Sequence, residues 1–236
     1  MKSVALAALL LLAASPVLAE TTPAAETPSV AAAGTSAPAA SDLLFEKPQM
    51  KNVPPGTKLT YGYLRRSGIS KGPFGPPMDD TIKLGIEPGK SADSRDIRVE
   101  MFSGANRFPA GPFEDMPGNP VMTLFLEHHL IDMARVLSAN PRYIKNAIRK
   151  GLRDNATVTP TTIDYQGQKV AAWRIETQPF LEDRMKERMR GLENIRYTFV
   201  TSDAVPGELV SIEAQSKTAE GGELLEERLT YVPNAG

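Results

Sequence analysis

Residues 57–66, TKLTYGYLRR, set Leu59, Tyr61 and Tyr63 on alternate positions, and this two-residue period decides the fold class. The same period returns twice. Ile82, Leu84 and Ile86 alternate between Thr81 and Glu87, and Ile97, Val99 and Met101 between Arg95 and Phe102. Polar residues fill the intervening positions, which predicts strands with one face on a core and one face wet. Buried parallel strands would read as unbroken apolar runs, so the sheet is expected to be antiparallel. The links, SGISKGPFGPPMDD (67–80) and EPGKSADS (87–94), carry the Gly and Pro of turns.

Downstream the period changes. Asn119 is an N-cap residue and Pro120 a first-turn residue, and Val121, Leu124, Phe125, Met133, Val136 and Leu137 follow at helical spacing. Asn140-Pro141 repeats the start signal and launches a second helix from Arg142 to about Arg153, forming a helical corner with the first. Strands resume at Thr161–Tyr165 and Lys169–Thr177 around a Gln166-Gly167-Gln168 turn. Pro179 is expected to open a third helix over Phe180–Leu192, and three strands close the chain at Ile195–Thr201, Glu208–Gln215 and Leu224–Val232. Helices grouped between runs of antiparallel strands predict an α+β fold with the sheet covered on one face.

The opening MKSVALAALLLLAASPVLA reads as a secretory signal cleaved after Ala19, with Lys2 as its positive end and an apolar run too short to span a bilayer. Residues 20–42, built from Ala, Thr, Pro, Ser and Glu, hold almost nothing large to bury and are expected to be a disordered tether. The globular domain is then 43–236. Its expected location is a bacterial periplasm. With no cysteine in 236 residues, the chain has no disulfide, thiolate metal site or cysteine nucleophile, so its core must hold it together. A net charge of −1 and 6% aromatic residues exclude a nucleic-acid partner.

The motifs that carry chemistry are sparse. His128 and Asp132 in LEHHLID share a helix face at metal-ligand spacing, but no HExxH or second histidine pair exists. Glu127, His128 and Asp132 are therefore read as a solvated face, with no metal site and no cofactor. Acidic pairs such as Asp79-Asp80 lack an opposed partner, and no GxSxG, Walker loop or GxGxxG appears. Phe74 and Phe113 each follow a Gly-Pro pair, and either cap the core or form the lips of an apolar cavity. Arg142, Lys145, Arg149 and Arg153 make a basic stripe beside Ile144, Ile148 and Leu152, and such a helix can meet anionic headgroups.

With its export signal, strands such as TKLTYGYLRR, DTIKLGI and DIRVEMF, helical insertion and final meander IRYTFVT…ELVSIEAQS…LLEERLTYV, the chain resembles the periplasmic lipoprotein carrier and receptor (LolA/LolB-like) superfamily. The resemblance covers residues 57–232 in element order. It departs at LLFEKPQMKNVPPG (43–56), whose prolines suit poorly the helix with which the carriers begin. What the resemblance implies is a strongly curved half-barrel, about three helices on its concave face, and an apolar cavity between. The expected function is non-enzymatic carriage of a lipid or lipoprotein acyl chain, with peripheral membrane contact at most. Candidate ligand residues are Phe74, Phe113, Phe125, Trp173, Phe180, Met185 and Met189, with Arg142, Lys145 and Arg149 for an anionic headgroup. The rival readings are an envelope protein that binds a protein partner, and an unrecognised hydrolase.

Overall fold

The computed structural model describes residues 37–68 and 74–233. The expected signal peptide, and the expected tether as far as residue 36, lie outside the described residues; of the tether's remainder, Ala40 packs in the core.

Nine strands form one antiparallel sheet among the described residues. They are β1 (Lys58–Ser67), β2 (Met78–Pro88), β3 (Arg95–Met101), β4 (Phe113–Met116), β5 (Thr157–Tyr165), β6 (Gln168–Thr177), β7 (Arg196–Thr201), β8 (Leu209–Lys217) and β9 (Glu223–Tyr231). Their spatial order is β4-β3-β2-β1-β9-β8-β7-β6-β5. The chain meanders from β1 out to the β4 edge and crosses to the far edge through α1 (Pro120–Leu137) and α2 (Pro141–Asp154). It then meanders back until β9 pairs with β1. The helices are therefore the crossover between the two edges, and α1 meets the middle of the sheet.

Register explains the alternation read from the sequence. Leu59 lies opposite Leu84 and Tyr61 opposite Ile82, and these pair on with Val99 and Met101. Directly opposed residues share a face, so each set of alternating apolar side chains falls on the core side. Across the other half the same face carries Leu229, Ile212, Phe199 and Ile175. Pro160, which donates no ladder hydrogen bond, stands in the edge strand β5, where a missing N–H costs least.

Both helix starts follow the sequence signal. The Asn119 side chain accepts from the Val121 N–H and the Asn140 side chain from the Arg142 N–H, each with proline as the first helical residue. Asn119 does more than cap. Its buried amide donates to Tyr61 Oη at 2.8 Å and to the Gly207 carbonyl at 2.9 Å, tying α1 to β1 and to the β7–β8 turn. Asn119→Ala is expected to lower the unfolding free energy by about 2 kcal/mol, from a lost cap and two orphaned buried groups. Urea titration measures the change.

Two elements differ from the sequence reading. β4 was not expected, because its four residues are bounded by prolines and are too short to display a period. The third helix over Phe180–Leu192 is replaced by successive i→i+3 turns, with 3-10 turns at Lys186–Arg188 and Leu192–Asn194. Local chemistry explains this. Asp183 Oδ1 accepts from the Met185 N–H at 2.7 Å, a side-chain turn that competes with helix. Arg190 and Gly191 then take φ of 56° and 93°, which no right-handed helix allows. The apolar spacing still serves the core, because the turns bury Phe180, Met189 and Leu192.

Candidate functional site

The crossover leaves a groove between α1, α2 and the short π-helical turn at Asp42–Glu46. That turn is held by Gln49, whose buried amide donates to the Leu43 carbonyl at 3.0 Å and accepts from the Asn119 N–H at 2.8 Å. Leu43 and Leu44 thereby enter the core, while Phe45 stays 46% exposed at the groove. The chain here is helical for one turn only, and Pro48 ends it.

The groove has a volume of about 420 Å³, within the roughly 300–1,000 Å³ usual for small-ligand sites. Leu126 and Leu130 of α1, Ile148 and Leu152 of α2, and Phe45 make it apolar. One bank carries Lys145, Arg149 and Arg153, and the other carries Glu46 and Glu127. Lys145 is ion-paired with Glu127, and Arg153 with Asp154. Arg149 has no acidic partner within ion-pair distance among the described residues, which leaves a cation at the rim for an incoming anion. A further depression of about 480 Å³ lies on the outer sheet face among Arg174, Glu176, Arg196, Glu213 and Lys217, and it offers alternating charges and no apolar floor.

A different face of α1 is filled by a polar cluster. Glu227, fully buried on β9, accepts from Tyr63 Oη at 2.7 Å and from His129 Nδ1 at 2.6 Å. His129 Nε2 lies 2.9 Å from Tyr197 Oη, and the ring stacks on Phe125. His128 sits edge-on to Tyr63, Phe102 and Phe108, with Nδ1 3.7 Å from Glu227. One strand register away, Arg65 Nη1 meets Asp132 Oδ2 at 2.7 Å, and Arg135 holds the other carboxylate oxygen. Burial alone pushes the Glu227 carboxyl up. His129, with the hydrogen bonds from His128 and Tyr63, overcomes that and holds it at about 2. Desolvation prevails at Asp132, whose carboxyl is raised despite Arg65. Tyr197, buried beside Glu227, is pushed well above its ordinary value and stays protonated.

This cluster corrects the reading of LEHHLID as a solvated face. Only Glu127 meets that description; the His128 side chain is 14% exposed, Asp132 7% and His129 not at all. The partners Arg65 and Glu227 stand 67 and 98 residues away in the chain, so no local pattern announces them. With both His129 nitrogens engaged and no open face, the cluster clamps α1 to β1, β7 and β9. Among the described residues no group of three or more His, Cys, Asp or Glu is placed to hold a metal.

The structure distributes the sequence candidates as follows. Phe74, Phe125, Phe180 and Met189 are buried in the core, and Phe113, Trp173 and Met185 are half-buried against it. None of these seven lines the groove. Of the basic candidates, Lys145 and Arg149 line it, and Arg142 is exposed on α2 away from it. The groove's apolar residues were missed as a set, although Phe45 and the Ile148/Leu152 stripe were visible in the sequence.

No family model and no curated protein matches the chain. Among solved structures, the Mycobacterium tuberculosis lipoprotein LppX is similar at 11% identity and a TM-score of 0.30, over 75% of this chain and 85% of that one.

Proposed function

We propose that the protein binds a single-chain amphiphile with an anionic head, a lipid or a lipoprotein acyl chain, in the α1–α2 groove. It carries its ligand without chemistry. The observation behind this is the groove itself: an apolar floor from three elements beside a rim whose Arg149 lacks an acidic partner. Burying each methylene of a chain there contributes about 0.8 kcal/mol, and Arg149 orients the head.

We also read the sheet as strongly curved, with the helices on its hollow side. Tyr231 at the end of β9 has its phenol raised by burial and by the nearby Tyr165 at the tip of the β5–β6 hairpin, four strands away in the sheet order. Flat strands so separated lie roughly 19 Å apart, so this proximity supports a sheet that curls back on itself. Residues 1–19 would export the chain to the periplasm, and no described helix is long and apolar enough to cross a membrane.

Titration with a fluorescent single-chain alkyl phosphate tests the proposal. Phe45→Ala is expected to weaken binding about fivefold to tenfold while leaving the melting temperature unchanged, because nearly half of the ring is already in water. Saturable binding that ignores Phe45 and Arg149 substitutions would place the ligand elsewhere.

A further inference from the structure

Helix α2 carries five Lys or Arg and one Asp in a chain whose formal charge is −1, so positive charge is concentrated on this element. At roughly 100° per residue, Lys145, Arg149, Arg142 and Arg153 fall within about 80° of arc, with Lys150 about 60° further on. All five are exposed, and Ile144, Ile148, Gly151 and Leu152 face inward. Arg142 and Arg149 have no ion-pair partner among the described residues. Across the groove from this arc stands Phe45, an exposed aromatic ring.

We propose that α2 docks lengthwise on an anionic bilayer surface through this basic arc, with Phe45 entering the headgroup layer and the groove mouth turned toward the lipid. Charge complementarity selects the surface. A polybasic patch alone holds a membrane weakly, and a patch together with an inserted apolar group supplies the two signals that stable contact needs. Because Lys145, Arg149 and Arg153 belong to both the arc and the groove rim, docking places the mouth where an acyl chain would leave the bilayer. The role of the mouth rests on the amphiphile reading, whereas the docking itself does not.

Co-sedimentation of the purified chain with vesicles tests docking. One set is phosphatidylcholine alone, and the other contains one third phosphatidylglycerol. The mixed vesicles are expected to bind at least tenfold more protein, with the advantage shrinking as salt is raised. The double reversal Arg142→Glu/Lys150→Glu removes two cations, each worth about fivefold near an anionic surface, so binding falls about 25-fold or more. Neither residue lines the groove, so uptake of an alkyl phosphate from solution stays at the wild-type level, and a melting curve verifies the fold. Equal binding to both vesicle types, or full binding by the double variant, overturns the proposal. Vesicle binding without uptake from solution would sustain docking and overturn the groove reading, and uptake without vesicle binding would do the reverse.

Discussion

Glu227→Ala is expected to cost about 3–5 kcal/mol of unfolding free energy, the largest effect of any single substitution discussed. The loss does not measure the worth of the ion pair. Removing the carboxylate leaves His129 Nδ1 buried without its partner, at 0% exposure, and strips Tyr63 Oη of its acceptor at 2.7 Å. A buried pair gives little net stability against a well-packed apolar replacement, so the double variant His129→Leu/Glu227→Leu should lose clearly less than the two single leucine variants summed. Urea unfolding of the four proteins gives the coupling directly. A cost below about 1 kcal/mol for Glu227→Ala would mean that water reaches the carboxylate and that the clamp is not closed.

The second large effect is in pH. Glu227 has its folded carboxyl at about 2 against an ordinary 4.5, so its contribution is complete above about pH 4.5 and is lost as pH falls toward 2. The stability gap between wild type and Glu227→Gln should therefore narrow by roughly 2 kcal/mol between pH 6 and pH 3. Asp132 runs the other way. Its folded carboxyl is raised, so its favourable contribution is present below 3.8 and is lost as pH rises through the raised value. Asp132 is present in both proteins, so its slope cancels in the comparison with Glu227→Gln except for the part of its shift that the Glu227 charge causes. A gap that stays constant across this range would contradict an ionised, clamped Glu227.

Sequence and structure agree where the causes are local. Alternation in β1, β2 and β3, the Asn-Pro starts of both helices and the tight turn at Gln166-Gly167 depend on residues within a few positions, and all were legible. Phe180–Leu192 shows the limit. Its helical spacing sets Leu181, Met185, Met189 and Leu192 on one stripe. In the turns, however, only Met189 and Leu192 of that stripe are buried, Met185 is half-buried and Leu181 is exposed, while Phe180 outside it enters the core. Only the Asp183 side-chain bond and the positive φ at Arg190 and Gly191 decide between helix and turns. The clamp was invisible for another reason. A histidine or aspartate on a helix reads as solvent-facing until its partner is known, and here the partners come from β1 and β9 at opposite ends of the chain. The groove stood half-way. Ile148 and Leu152 lie in the apolar stripe read from the sequence, whereas Leu126 and Leu130 fall outside the stripe read for the first helix. Whether Ile148 and Leu152 face the sheet or α1 depends on the angle of the helical corner.

The clamp and the groove lie on different faces of α1. Phe125, His129, Asp132 and Val136 recur on the face pressed to the sheet, and Leu126 and Leu130 on the face turned to α2. By fixing α1 rigidly, the buried ion pairs fix one wall of the groove. A ligand site needs such a wall, because ordering a loose helix on binding would subtract from affinity.

The groove as the ligand site is tested most directly by two-dimensional NMR of the chain titrated with a lysophosphatidylglycerol below its micelle concentration. The expected result is saturable shifts at Phe45, Leu126, Leu130, Ile148, Leu152 and Arg149, with Trp173 and Phe180 unmoved. Shifts centred on Trp173 and Phe180, or no saturable shift at all, would contradict it.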